Sequence, residues 1–149
     1  VTERIAAVED NCAFCRIARG EDPTVSIICE DTSWVAFFPS EPATPGHTLV
    51  VPREHVADVW SLHPILAADL MNGVIRVGRA IRSAVAPAGM NLISSSGEAA
   101  EQTVYHLHLH VVPRYEGDDM DPIWPQKKKL DIELKERIAD GIRKACAES

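Results

Sequence analysis

Tyr105-His106-Leu107-His108-Leu109-His110-Val111-Val112 alternates imidazole with aliphatic carbon at every second residue. That is the period of a β-strand, in which residues two apart share a face. The three imidazoles then point one way, while Leu107, Leu109 and Val111 point the other way and pack on a core. Imidazole suits proton transfer, nucleophilic attack and metal binding near neutral pH. A lone strand histidine is usually a satisfied polar residue. Three on one face, beside a polar loop, mark a functional site.

Working outward, the strand is predicted from about Thr103 to Val112, stopping at Pro113, which cannot donate to a ladder. Upstream, Asn91 to Ser95 reads as another strand, followed by a loop over Ser96 to Gln102. Leu66, Leu70, Val74, Val77, Ile81 and Val85 recur at spacings of four and three, one apolar stripe of a long helix. Ser61 is the expected cap of that helix, Pro64 sits in its first turn, and Pro87 and Gly89 end it. Val25 to Glu30 and Ser33 to Phe38 are β-rich runs joined across Asp31-Thr32 as a hairpin. Pro39 to Gly46 is a proline-rich loop, and Thr48 to Val51 is a short buried strand ending at Pro52. Tyr115 to Gln126 reads as irregular, and Leu130, Leu134, Ile138 and Ile142 mark an amphipathic C-terminal helix. The first ten residues leave a short helix and a frayed end equally open. Strands grouped around one long helix favour an α+β fold with an antiparallel sheet.

A length of 149 residues, 46% of them hydrophobic, suits a single domain over residues 1–149 with a sizeable core. No internal repeat or low-complexity linker divides it. No apolar run approaches a membrane span, and the N-terminus lacks a signal-peptide layout, so no membrane partner and a cytoplasmic location are expected. A formal charge of -7 argues against binding a nucleic-acid polymer, which is held mainly through Lys and Arg. It leaves room for a small phosphorylated ligand. Lys127-Lys128-Lys129 reads as a solvated basic run. Four cysteines are too few and too unevenly spaced for a disulfide framework. Cys29 reads as a small core residue, and Cys12 and Cys15 form a C-x-x-C pair.

Two chemistries compete for the three imidazoles. A three-histidine metal site would resemble a catalytic zinc centre with one open position. Residues two apart on a strand are about 7 Å apart in Cα, which lets two imidazoles reach one ion and strains a third. Covalent catalysis has the easier geometry: one neutral imidazole attacks while its neighbours orient it or move protons.

His106-Leu107-His108-Leu109-His110-Val111-Val112 resembles the His-φ-His-φ-His-φ-φ signature of the histidine triad (HIT) family of nucleotide hydrolases and transferases. Gly46-His47-Thr48-Leu49-Val50-Val51-Pro52-Arg53-Glu54-His55 resembles the family's GHTLVIPxxH segment. Gln102-Thr103-Val104-Tyr105 is similar to its GQSVxH lead-in, Val112-Pro113-Arg114-Tyr115 to its bacterial continuation, and Asn11-Cys12-Ala13-Phe14-Cys15-Arg16-Ile17 to the CxFCxI start of many members. The resemblance runs from about residue 11 to 125, leaving 126–149 as a C-terminal helical extension that covers the domain or enlarges a dimer contact.

The resemblance implies an α+β HIT-like fold that pairs as a homodimer through the long helix and a neighbouring strand. It implies attack by His108 on the α-phosphorus of a purine nucleotide, an AMP or GMP derivative, giving a nucleotidyl-histidine intermediate that water hydrolyses. His110 then holds the phosphate or helps protonate the leaving group, with His106 completing the catalytic triad. A backbone carbonyl on Nδ1–H would present Nε2 of His108 to the phosphorus. Gln102 and Thr103 would stabilise the phosphoryl oxygens, with Ser95 nearby. Phe37, with Val25 and Ile27, is a candidate nucleobase wall. The chemistry itself requires no metal ion. By the same resemblance, Cys12, Cys15, His55 and His106 are the ligands of a structural zinc, which would make His106 a support for the strand carrying His108. His47 and His63 are left with surface or packing roles.

Two positions depart from the family pattern. Pro39 stands where relatives carry an acidic residue that binds the ribose hydroxyls, and proline offers neither donor nor acceptor side chain. Glu101 stands where relatives have the glycine before Gln102, bringing a negative charge towards an anionic substrate. These departures motivate a second hypothesis, a nucleotide-binding interaction module without turnover. A third, the three-histidine metalloenzyme, predicts activity lost on metal removal with the fold intact.

Overall fold

A computed structural model of the chain describes residues 11–148, so the N-terminal ten residues and their two open readings lie outside it. The described chain runs α1 (Ala13–Ala18), β1 (Ile27–Glu30), β2 (Trp34–Phe37), β3 (Thr48–Pro52), α2 (Pro64–Val85), β4 (Gly89–Ile93), β5 (Leu109–Arg114) and α3 (Ile132–Glu148). The strands form one five-stranded sheet in the order β1-β2-β3-β5-β4, every neighbouring pair antiparallel. This is the expected α+β architecture with one long helix and a C-terminal helix.

Both faces of the sheet's centre are covered. Leu66, Leu70, Val74, Val77 and Ile81 of α2 are buried, and four of them share a cluster with Trp34, Ala36, Val50, Leu107, Leu109 and Val111. On the other face Ile17 and Ala18 of α1 pack with Val35, Phe37, Leu49 and Val51. Double coverage explains why β2 and β3 are buried at every position rather than alternating. The leucine side of the histidine stretch faces α2, as its period implies.

Boundaries differ from expectation where local chemistry overrides pattern. Ser61 does not cap α2; it lies in a 3-10 turn, Val59–Ser61, capped by the Asp58 side chain. His63 caps α2 instead, Nδ1 accepting from the Leu66 N–H at 3.2 Å, with Pro64 in the first turn as expected. β4 begins at Gly89 and ends at Ile93, leaving Ser94 and Ser95 beyond it, because its last partner on β5 is His110. The largest revision concerns β5, which begins at Leu109 rather than Thr103 and continues through Pro113 to Arg114. Continuing the β3–β5 register would bring Leu107 opposite Pro52, which has no N–H to give, and the Leu107 N–H turns to the Val56 carbonyl at 2.7 Å.

α3 buries none of its residues: Ile132, Ile138 and Ile142 remain 77%, 46% and 58% exposed, so the helix does not cover the domain. No helix among the described residues is long and apolar enough to cross a membrane.

Gly73 records how closely α2 lies on the sheet. A Cβ there would meet the Trp34 indole at 2.6–2.9 Å, and that ring is itself 3% exposed. Gly73→Ala is therefore expected to destabilise by about 1–3 kcal/mol despite its gain in helix propensity. Gly141→Ala in α3, where an added Cβ meets nothing within 4 Å, should stabilise by about 0.5–1 kcal/mol. Denaturant unfolding of both variants checks the pair.

Candidate active site

The histidines enter the site from an extended lead-in and from the first ladder residues of β5. Val104 to His106 bend the chain, and only His110 is paired in the sheet, opposite Leu49 and Ile93. The alternation survives the loss of ladder bonds because Leu107 and Leu109 are anchored under α2. His106 is fully buried, His108 is 8% exposed, and the rings of His108 and His110 lie 4.9 Å apart.

His108 has a fixed tautomer. Its Nδ1–H donates to the His106 carbonyl at 2.7 Å, so in the neutral ring Nε2 carries the lone pair. Phe14 of α1 packs edge-on against the His108 ring with centroids 5.1 Å apart, and against Phe37 at 5.6 Å. Phe14 belongs to the motif that marked the N-terminal cysteines, yet nothing in its spacing shows that it will steady His108. Phe37 is buried at 2% exposure and backs Phe14. Val25 and Ile27 are half-buried beside the same cluster.

His110 has an unexpected partner. His47, 6% exposed, lies with Nε2 at 2.9 Å from Nδ1 of His110. The Ala43 N–H donates to Nδ1 of His47 at 3.0 Å, which puts the His47 proton on Nε2 and makes it the donor to His110. His110 then carries its own proton on Nε2. Burial, followed by the nearby His108 and His47, pushes His110 down to about 4, and burial also lowers His47. The pair is thus neutral at physiological pH and offers a hydrogen-bond donor beside His108. Of the surface and packing roles left to His47, the structure shows packing, against His110. The signal available in sequence is positional: it enters β3 two residues before Leu49, the partner of His110. Gly46, at φ 89, permits that entry where a Cβ would meet Pro113 at 3.2 Å.

Cys12, Cys15, His55 and His106 come together, their ligand atoms all within 4.8 Å of one another. Nδ1 of His106 lies 3.4 and 3.3 Å from the sulfurs of Cys12 and Cys15, and Nδ1 of His55 lies 3.2 Å from Cys15. Zinc–sulfur and zinc–nitrogen bonds of about 2.3 and 2.0–2.1 Å around a tetrahedron place ligand atoms at about these separations. Nε2–H of His106 donates to the Pro52 carbonyl at 2.8 Å, leaving Nδ1 as the free lone pair facing the thiols. That carbonyl contact is the usual outer partner of a metal-bound histidine. Burial lowers His106 to about 4, keeping it in the neutral, ligating form. The donor set fits a structural zinc. Of the three strand histidines it takes only His106, which separates the metal cluster from the other two.

Gln102 is 5% exposed and its amide is committed to loop contacts: Oε1 accepts from Gly97 N–H at 2.8 Å, and Nε2 donates to the carbonyls of Ala57 and Val104 at 2.7 and 3.2 Å. The side chain shapes the loop that precedes the histidines. Thr103 is exposed, and Ser95 is half-buried just beyond β4. Glu101 is exposed and takes a left-handed backbone, φ 64 and ψ 26, which accounts physically for glycine being the residue of choice there.

Two outcomes follow from this geometry. Between pH 6.5 and about 4 the unfolded chain binds a proton that folded His110 refuses. Stability should therefore fall as pH drops through that window, and His110→Asn should flatten the slope, read by urea unfolding across pH. Glu101→Gly relieves a left-handed cost of about 1–2 kcal/mol per residue while adding chain entropy of about 0.5–1 kcal/mol. A small net stabilisation is expected, visible as a raised Tm.

A family model described as the HIT domain matches residues 19–117. Protein hit of Bacillus subtilis is 38% identical over 116 residues, covering 77% of this chain and 79% of the relative. Adenosine 5'-monophosphoramidase hnt1 of Schizosaccharomyces pombe is 35% identical over 104 residues, covering 70% and 74%. Among solved structures, SMU.412c from Streptococcus mutans superimposes with a TM-score of 0.85 at 36% identity, covering 92% of this chain and 86% of that one. A zinc-bound histidine triad family protein from Mycobacterium smegmatis superimposes with a TM-score of 0.69 at 35% identity, covering 87% and 90%. The fold, the histidine stretch and these likenesses agree: the chain belongs to the HIT domain family.

Proposed function

We propose that this chain is a nucleotidyl hydrolase that cleaves nucleoside phosphoramidates or related purine nucleoside monophosphate derivatives through a covalent nucleotidyl-His108 intermediate. The observation that carries the reading is the Nδ1–H of His108 held by the His106 carbonyl at 2.7 Å. It makes Nε2 the nucleophilic nitrogen and leaves Nδ1–H in place to spread positive charge once the ring is substituted. The activity named for the S. pombe relative supports the substrate class.

In the first step the Nε2 lone pair of His108 forms a bond to the α-phosphorus. The P–N bond breaks, and the leaving nitrogen keeps its electron pair and takes a proton from solvent. In the second step water attacks the same phosphorus, the P–Nε2 bond breaks, and the pair returns to His108 as the water proton leaves. His110, a donor through Nε2–H because His47 occupies its Nδ1, holds a phosphoryl oxygen. Donors fixed in place before charge shifts are the main lever in phosphoryl transfer. Thr103 and the backbone N–H groups after Gln102 supply further contacts, with Gln102 acting through the loop it shapes. Phe14, backed by Phe37, and the half-buried Val25 and Ile27 form the apolar side towards the base.

Cys12, Cys15, His55 and His106 hold structural zinc, which stiffens the segment before His108 and takes no part in the chemistry. Their reduced thiols suit a cytoplasmic setting. The exposed residues Met71 and Ile75 of α2 and Leu92 of the edge strand β4 form the face for a homodimer.

Adenosine 5′-phosphoramidate is the test substrate. Steady AMP release by the parent should fall by at least about 10³-fold in His108→Ala and by about tenfold to a hundredfold in His110→Ala. AMP binding with no turnover in the parent would transfer the chain to the binding-module reading. Metal analysis should find one zinc per chain, and prolonged chelation should lower the Tm, since a structural metal contributes folding energy. Chelation that removes turnover while leaving the Tm unchanged would favour the three-histidine metalloenzyme.

A further inference from the structure

Four consecutive residues, His55 to Asp58, run beside the segment from Ser96 to Leu107, and three of them grip it. The Val56 carbonyl accepts from the Leu107 N–H at 2.7 Å, and the Ala57 carbonyl accepts from Nε2 of Gln102 at 2.7 Å. Oδ2 of Asp58 accepts from the Ser96 hydroxyl at 2.6 Å. Between Ser96 and Gln102 the loop closes on itself: the Gln102 N–H donates to the Gly97 carbonyl at 3.1 Å, and Gln102 Oε1 accepts from the Gly97 N–H. The two ends of this ring are thus tied to Asp58 and Ala57, and the ring contains the left-handed Glu101.

We propose that Asp58 is a positioning residue for catalysis, acting through Ser96 to hold the 97–102 loop and so to place Thr103 and the backbone N–H groups after Gln102 that meet the phosphoryl group. A capping role alone accounts for Oδ1, which accepts from the Ser61 hydroxyl and N–H at 2.9 and 3.2 Å. It leaves Oδ2 unexplained, because the Ser96 bond reaches across 38 residues and adds nothing to the 3-10 turn. The Ser96 hydroxyl is also the leading cause that holds the Asp58 carboxyl below the usual carboxylate range, followed by Ser61. The carboxylate has one oxygen for the turn and one for the loop. The donors that follow the loop matter most when charge shifts in the transition state, so a loosened loop costs kcat more than KM.

The inference rests on the hydrolase reading, and its test separates the two. With adenosine 5′-phosphoramidate, Asp58→Ala should lower kcat roughly tenfold with KM within about twofold, the scale expected of a slightly misplaced catalytic segment. Ser96→Ala should reproduce the loss, the double variant should be no worse than Asp58→Ala, and Asp58→Asn, which keeps an acceptor oxygen, should recover most of it. Ser61→Ala removes only the cap and should leave kcat unchanged. A full loss in Ser61→Ala with Ser96→Ala silent would reduce Asp58 to a helix-turn cap and overturn the proposal. Amide hydrogen exchange over 97–102 supplies the arm that needs no turnover: exchange should quicken in Asp58→Ala and Ser96→Ala but not in Ser61→Ala. Quickened exchange in the two variants of a parent that hydrolyses nothing removes the hydrolase reading and leaves the clamp; exchange unchanged from the parent removes the clamp whatever the activity.

Discussion

The hydrogen bond from Nδ1 of His108 to the carbonyl of His106 is the constraint on which the site depends. An imidazole can present either nitrogen, and only a fixed acceptor on one of them decides which is nucleophilic. That acceptor is a peptide carbonyl two residues upstream, so its position is only as firm as the backbone at His106. His106 is secured on both sides of its ring: Nε2–H on the Pro52 carbonyl, and Nδ1 among the Cys12 and Cys15 sulfurs. The Cys/His cluster and the proposed nucleophile therefore share one residue through different atoms, the cluster through the ring and His108 through the peptide.

Firmness at His106 is needed because the sheet does not provide it. β3 ends at Pro52, and ladder pairing with β5 reaches only to Leu109. The segment carrying His106 and His108 is kept extended by three substitutes for a ladder: the Val56 carbonyl on Leu107, the burial of Leu107 beneath α2, and the Phe14 ring against His108. Release from the ladder has a functional use. A strand locked on both sides presents its side chains at fixed pleat spacing, whereas this segment bends at Val104 to His106 and brings one imidazole to the cysteines and the next to His110. The His47–His110 pair marks the return to regular pairing, where adjacent strands bring a buried and a half-buried imidazole within hydrogen-bond distance.

Much of this was legible in the sequence. The period of residues 105–112 fixed which side chains share a face, and the stripe from Leu66 to Ile81 identified the helix that covers the other face. The C-x-x-C pair and His55 met His106 as the family resemblance implied. What escaped depends on long-range partners. His47 looks like a polar residue in an apolar strand until β3 is laid beside β5. Asp58 looks like a solvated acid until Ser96 is brought to it. Gln102 reads as a phosphate ligand, and its amide groups bond Gly97, Ala57 and Val104. The extent of the histidine strand was overestimated because side-chain alternation reports which way residues face, while ladder pairing also needs an N–H opposite, and Pro52 has none.

Glu101 sets this chain apart from the family pattern without changing the backbone conformation of its loop. Glu101 keeps the left-handed backbone that glycine would adopt and turns its carboxylate to solvent, so the loop retains its shape at a small cost in strain. The central claim is therefore that the nucleophile remains competent. The most direct measurement is the intact mass of the protein after a rapid acid-free quench with adenosine 5′-phosphoramidate, followed by peptide mapping of any adduct. Covalent catalysis predicts an adenylyl group on the peptide containing His108, absent from His108→Ala. Turnover that proceeds without any adduct, or an adduct carried elsewhere in the chain, would contradict it.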